Sequence, residues 1–158
     1  MFTAAIAAHS MGRAATVGLA GAMRLTTPSG LGADYGRSIK VWTLVNIVQG
    51  ETEKEARDFY DYYVNQKGDW AAAENLVNTM IANAKTLPKE VLAEMKKHFI
   101  AGWGGYPIIG TPEQIVDGLI TMSKMGLDGT LLNWPRYIQD QRWFQKHVYP
   151  LVKQAGLR

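Results

Sequence analysis

The stretch IKVWTLVNIV, residues 39–48, decides the fold of this chain. It is rich in β-branched and aromatic side chains and ends at Gln49-Gly50, which is the profile of a buried strand. A helix is predicted to follow at once. Thr52 and Glu55 have the spacing of a capping box, and apolar side chains recur at helical spacing over residues 56–64.

The second half of the chain repeats this strand-then-helix order. After a short apolar run, Thr111 is the predicted N-cap of a helix, Pro112 its first residue and Gln114 the capping-box partner. The helix is predicted to end at Gly126. Residues 127–134, LDGTLLNW, then have the composition of another strand, and a last helix follows.

Alternating strands and helices of about ten to fifteen residues predict parallel βαβ units. Two further helices, between residues 68 and 99, form a helical insertion. Three strands are clear, and residues 2–8 are the candidate for a fourth. Residues 1–35 are otherwise poorly determined, so we divide the chain into that segment and a domain over residues 36–158. A complete (β/α)8 barrel needs roughly 250 residues, so the pattern corresponds to about half of one.

Composition excludes several functional classes. The chain of 158 residues contains no cysteine, which rules out disulfides and thiol chemistry. Its three histidines are far apart in sequence, so we expect no metal site. The net charge of +3 is spread without a block of like charges, which argues against nucleic-acid binding. The longest apolar N-terminal stretch, residues 14–23, is too short to cross a bilayer, and we expect a cytoplasmic protein.

Several motifs, in this order and at compatible spacing, resemble the luciferase-like flavin-dependent monooxygenases. The similarity is greatest to the alkanesulfonate and dimethylsulfone type, and it covers roughly residues 36–158. The motifs are KVWTLVNIVQGETEKEAR (residues 40–57), IGTPEQI (109–115), GLDG (126–129), LNWP (132–135), VYPLV (148–152) and GLR (156–158).

The resemblance implies the C-terminal portion of a TIM-type (β/α)8 barrel, an α/β fold that binds FMN at the C-terminal ends of its strands. It also implies an oxidoreductase that uses reduced FMN from a separate flavin reductase, together with O2, on a small sulfone or sulfonate, as a homo-oligomer. Family members are about twice as long. The alternatives are a truncated, non-catalytic or flavin-binding module of the same family, and an unrelated small α/β domain of the flavodoxin type.

The resemblance also suggests a place for the FMN phosphate. Ser10, Gly12 and Arg13 are similar to the family's phosphate loop, where free backbone N–H groups and an arginine would hold an anion. One residue is missing from the motif. The alternative is an N-terminal segment without a binding role.

Chemistry in parallel barrels lies at the C-terminal strand ends. Asn46 and Trp134 occupy such positions and are our candidate catalytic residues, and Arg136 is a candidate for contact with the substrate. For each residue the alternative is an ordinary structural role.

The run Trp103, Gly104, Gly105 and Tyr106 corresponds to a mobile family loop that closes over substrate, and its glycines would permit a hinge. The alternative is a plain connector.

Half a barrel would leave open sheet edges and an exposed apolar face. We therefore expect low stability, with aggregation or self-association. Strands near residues 39–48 and 129–133 should lie side by side or one strand apart, and their helices should cover one face only.

Overall fold

The computed structural model describes residue 36, residues 40–80 and residues 88–157. Its sheet contains three parallel strands, β1 (Trp42–Gln49), β2 (Tyr106–Gly110) and β3 (Gly129–Asn133), in the order β2-β1-β3. The parallel α/β architecture predicted from the sequence is thus confirmed, and so is the neighbouring position of β1 and β3. Residues 1–35, which include the candidate fourth strand, lie outside the described residues.

Seven helical segments connect or follow the strands in the described part of the chain. They are α1 (Glu53–Asp61), a π-helix that continues α1 (Tyr62–Gln66), α2 (Trp70–Met80), α3 (Lys89–Gly102), α4 (Pro112–Lys124), α5 (Tyr137–His147) and α6 (Tyr149–Gln154).

The two predicted helix starts are observed. The Thr52 side chain accepts a hydrogen bond from the Glu55 N–H. Thr111 and Gln114 form a complete capping box with Pro112 as the first helical residue. Both signals depend on a few adjacent residues, and for this reason they could be read from the sequence.

The two faces of β1 contact different helices. Val45 and Ile47 belong to the main core with residues of α4, α5 and α6, such as Ile115, whereas the side chain of Asn46 bonds to Tyr63 and to the carbonyl of Ala101. Successive side chains of a strand point to opposite faces. Helices therefore cover both faces, and the expectation of one covered face is wrong.

The strand order explains this difference. β2 and β3 lie on opposite sides of β1. A right-handed connection from β1 to β2 and another from β2 back past β1 to β3 must pass over opposite faces of the sheet. The sequence does not reveal on which side of β1 each later strand will pair.

The main core is built from apolar residues that share the Val45 and Ile47 face of the sheet. Its buried members are Val45, Ile47, Ile108, Ile115, Val116, Leu119, Met122, Phe144, Val148 and Val152.

We expect the Ile47→Ala substitution to lower the free energy of unfolding by about 2–5 kcal/mol, because Ile47 is fully buried in the central strand. Ile138→Ala is the matched control. Ile138 is 62% exposed, so its truncation should change stability by no more than about 0.5 kcal/mol. Denaturant unfolding of both variants measures the difference. Equal losses would contradict the central position of β1.

Candidate functional site at the carboxyl ends of the strands

The carboxyl ends of the three strands lie at one edge of the sheet, because all three are parallel. Gln49, the last residue of β1, is level with Gly110 at the end of β2. β3 ends before the level of Gln49, because its last residue, Asn133, is level with Asn46 of β1. The last residues of β1 therefore extend beyond β3, next to the segment that leads into α5.

Asn46 is a buried amide in the middle of the central strand. Its Nδ2 donates to the Tyr63 hydroxyl at 3.0 Å and to the Ala101 carbonyl at 2.7 Å. Its Oδ1 has no hydrogen-bond partner among the described residues. A buried polar atom without a partner costs free energy, so this acceptor is a candidate for an additional contact.

Tyr63 links Asn46 to the helices above the sheet. It lies in the π-helical segment, a distortion that is frequent at functional sites. Its hydroxyl also donates to the Ala101 carbonyl at 3.2 Å. Burial raises the pKa of Tyr63, and the hydrogen bond from Asn46 offsets part of that rise. Burial likewise raises the pKa of Tyr60 to about 12. Both side chains are therefore neutral phenols at neutral pH.

Arg136 is held rigidly at the entrance to α5. Its guanidinium bonds the Asp140 carboxylate, with Nη2 at 2.9 Å and Nε at 3.1 Å from Oδ1, and its backbone N–H donates to the same carboxylate. Its Cζ lies 4.2 Å from the centre of the Phe59 ring. Asp140 is buried, but half of the Arg136 side chain is exposed. The result is a preorganised cation on an aromatic ring.

Gln49 connects this ion pair to the central strand. Its Nε2 donates to the Asp140 backbone carbonyl. Its Oε1 is a second buried acceptor without a partner among the described residues. The Phe59 ring packs against the Tyr63 ring, with ring centres 5.2 Å apart, and so connects Arg136 to Asn46.

We call these contiguous side chains the carboxyl-end cluster. Its members are Asn46, Gln49, Phe59, Tyr63, Arg136 and Asp140. The cluster combines one half-exposed cation on an aromatic ring with two buried amide oxygens that have no partner among the described residues. Its exposed guanidinium can bind and orient a polar or anionic group. In the described ranges, no three histidine, aspartate or glutamate side chains are arranged to hold a metal ion.

The N-termini of α1 and α4 lie at the same edge, but their own side chains occupy them. Thr52 and Thr111 cap the two helices, and Gln114 Nε2 donates to Glu53 Oε2 at 2.7 Å. This bond, together with Arg57, holds the pKa of Glu53 below its usual value. Carboxylates at these positions repel an anion, so Arg136 is the better anion contact at this edge.

The structure brings only some of the predicted site residues together. Asn46 and Arg136 belong to the carboxyl-end cluster. Trp134 packs edge-on against Phe144, with ring centres 5.4 Å apart, and joins the opposite layer of the core. Its buried Nε1 donor has no partner among the described residues. Ser10, Gly12 and Arg13 lie outside the described residues.

The predicted loop over substrate lies at the other end of β2. Trp103 and Gly104 cap the C-terminus of α3, with N–H groups that donate to the carbonyls of Phe99 and His98. Tyr106 already belongs to β2, and Gly105 lies just before it, at the amino end of that strand. The family-like sequence of this loop therefore has a capping role here. A closing motion stays a prediction.

Four members of the cluster were not recognised from the sequence as site residues: Gln49, Phe59, Tyr63 and Asp140. Gln49 carried a usable signal, since it is a polar residue at the end of a buried strand. Asp140 stands four residues after Arg136, a spacing that allows an ion pair at a helix start. Nothing local distinguished Phe59 or Tyr63 from core aromatics.

Comparison with known proteins gives a sequence relative and several structural ones, while no family model matches the chain. The sulfoquinovose monooxygenase of Novosphingobium aromaticivorans is 24% identical over 141 residues, which cover 79% of this chain and 38% of that protein.

Three solved structures share the fold. DmoA from Hyphomicrobium sulfonivorans has a TM-score of 0.62 at 18% identity, over 78% of this chain and 32% of its own. Riboflavin lyase RcaE, solved with modified FMN and riboflavin, scores 0.62 at 19% identity, over 88% and 36%. The long-chain alkane monooxygenase LadA scores 0.57 at 19% identity, over 79% and 32%. This chain thus spans about a third of the length of the proteins it matches.

We expect Gly102→Ala to destabilise the chain by about 1–3 kcal/mol through overpacking. A Cβ at Gly102 would lie 2.7 Å from Asn46 Oδ1 and 2.9 Å from Asn133 Nδ2. The sign is diagnostic, because alanine in place of a helical glycine ordinarily stabilises by roughly 0.5–1 kcal/mol. Thermal or denaturant unfolding measures it. A stabilised variant would show that the end of α3 does not press on the two amides.

Proposed function

This chain resembles the carboxyl-terminal part of the luciferase-like flavin-dependent monooxygenases, and we propose that it contributes that part of an FMN-dependent monooxygenase. The proposed substrate is a small organosulfur compound such as a sulfone or a sulfonate. The similarity to a sulfoquinovose monooxygenase and to the fold of DmoA supports this proposal. The geometry that supports it most directly is Arg136, fixed by Asp140 over the Phe59 ring at the strand ends.

Arg136 is proposed to bind the oxygen atoms of the substrate. A guanidinium presents paired N–H donors to a planar or tetrahedral oxyanion, and contacts of this type are stronger than neutral hydrogen bonds. The Asp140 carboxylate contacts Nε and Nη2 of Arg136. This contact orients the guanidinium and restricts its motion. Asp140 is thus a positioning residue in this proposal.

The residues at this edge fit part of a flavin site. Gln49 Oε1 and Trp134 Nε1 are a buried acceptor and a buried donor without partners among the described residues, and a flavin ring carries matching N–H and C=O groups. When bound, reduced FMN would supply two electrons for O2, so that one oxygen atom enters the substrate and the other leaves as water.

The remaining roles are proposed from the resemblance. Asn46 and Trp134 are the proposed catalytic residues, held by Tyr63 and Phe144 respectively. Ser10, Gly12 and Arg13 are proposed to hold the FMN phosphate. The resemblance gives the loop with Trp103, Gly104, Gly105 and Tyr106 a role in excluding water, but the loop lies at the amino end of β2, and the proposal therefore assigns it no contact with the ligand.

A flavin reductase as the electron source, a homo-oligomeric state and a cytoplasmic location complete the proposal. Within the described residues, no helix has both the length and the apolar character needed to span a membrane.

A flavin-binding module without substrate chemistry is the second candidate. The observation that favours it is the extent of the match, since the aligned region covers 32–38% of each relative. Strand ends from a whole barrel hold flavin, oxygen and substrate together, and a misplacement of about 1 Å can cost on the order of a hundredfold in rate. Sulfite release by the purified chain with reduced FMN and a sulfonate distinguishes this candidate from the monooxygenase.

We expect the purified full-length chain to quench FMN fluorescence at micromolar protein concentration. Methanesulfonate should bind to the FMN-loaded protein, and Arg136→Lys should weaken this binding about tenfold or more, because the lysine loses the paired donors. Arg142→Lys is the matched control, since Arg142 is an exposed arginine on the same helix.

Fluorescence titration measures both equilibria. Absence of quenching at high protein concentration would overturn the flavin site. Equal methanesulfonate affinity in the two variants would overturn the role of Arg136 while leaving flavin binding intact.

A further inference from the structure

Phe59 lies directly under the Arg136 guanidinium, at the entrance to α5. The guanidinium carbon, Cζ, is 4.2 Å from the centre of the Phe59 ring. Phe59 belongs to α1, whereas Arg136 immediately precedes α5. Because the two residues are distant in sequence, their contact is produced by the tertiary fold and does not follow from neighbouring positions on one helix.

Two contacts hold the guanidinium, and they restrict different motions. The Asp140 carboxylate contacts Nε and Nη2 and so holds one edge of the planar group. A contact along one edge still allows the plane to turn about that edge. The Phe59 ring covers one face of the group and restricts this rotation. Since the two contacts use Nε, Nη2 and one face, Nη1 is the nitrogen left for a ligand.

The buried part of the cluster holds the Phe59 ring in turn. The Tyr63 ring packs against it, with ring centres 5.2 Å apart and the two planes tilted by 43°. The Tyr63 hydroxyl accepts a hydrogen bond from Asn46 Nδ2 at 3.0 Å, and Asn46 is fully buried in β1. A continuous series of contacts therefore runs from the central strand to the half-exposed guanidinium. The ring is a fixed surface under the cation.

We propose that Phe59 is a positioning residue that sets the affinity of Arg136 for the oxygen atoms of the ligand. This inference rests on the proposed function, in which Arg136 binds those atoms. The negative face of the ring attracts the cation and keeps it in one orientation before the ligand arrives. An arginine that moves freely in solvent loses its rotamer freedom on binding, and this loss lowers affinity. The Phe59 contact makes that loss smaller.

The test changes the electron density of the ring and keeps its shape. In the full 158-residue chain, Phe59 is replaced by phenylalanines with one, two or three ring fluorines, which withdraw electron density from the ring face stepwise. Each step should weaken methanesulfonate binding, and Phe59→Leu should weaken it about two- to fivefold. The Nε–Hε NMR signal of Arg136 follows the titration, with and without FMN.

The matched control is the same fluorine series at Phe99. This residue is also half-buried, but its ring partner is Trp103 and not a cation. Methanesulfonate affinity should stay unchanged throughout the control series. Thermal unfolding should stay unchanged in the fluorinated Phe59 variants, because their shape is nearly that of phenylalanine.

The free protein gives a readout that packing alone does not move. Nε is bonded to Cζ, so its proton lies near the face of the Phe59 ring, where the ring current shifts an NMR signal upfield. The Nε–Hε signal of Arg136 should therefore move downfield in Phe59→Leu. Phe59→Tyr restores an aromatic face, so it should restore both the signal position and the methanesulfonate affinity.

Failure of this inference is distinguishable from failure of the proposed function. If Arg136→Lys weakens methanesulfonate binding while Phe59→Leu and the fluorine series do not, Phe59 is a packing residue and the inference is overturned. Equal losses in the Phe99 series, or no recovery in Phe59→Tyr, would overturn it as well. If the wild-type chain does not bind methanesulfonate at all, the role of Arg136 and the inference fall together.

Discussion

The pairing of β1 on both sides is the constraint on which the rest of the structure depends. Val45, Asn46, Ile47 and Val48 are at most 1% exposed, so the middle of this strand is covered from both faces as well as from both edges. A strand in this position cannot shift by one residue without exchanging its two buried faces. The register therefore fixes Asn46 and Gln49, and with them the place of the carboxyl-end cluster.

The polar side chains of this buried strand cost free energy, and packing alone does not explain why they are present. Asn46 and Gln49 each donate a hydrogen bond through the amide nitrogen, and each leaves its oxygen unpaired among the described residues. Apolar side chains would fill the same positions without that cost. The two amides belong to the same cluster as Arg136, at the edge where parallel α/β folds carry their binding sites. We therefore attribute the cost of burying them to ligand binding.

The sequence was informative where structure depends on neighbours along the chain. The residue types of β1 and the caps at Thr52 and Thr111 predicted strand and helix starts correctly. It was less informative where distant segments meet. The order β2-β1-β3, the helices on both faces and the contact of Tyr63 with Asn46 all depend on tertiary packing. At Trp103 a family-like loop becomes a helix cap in the left-handed conformation, with a φ of 54°.

The central claim is that ligands of this chain bind at the carboxyl-end cluster, and the amide NMR spectrum tests it most directly. On addition of FMN and methanesulfonate, the account predicts that the signals of Gln49, Phe59 and Arg136 shift with a common saturation curve, while those of Trp103 and Gly104 stay unchanged. Saturable shifts confined to the amino end of β2 would contradict it.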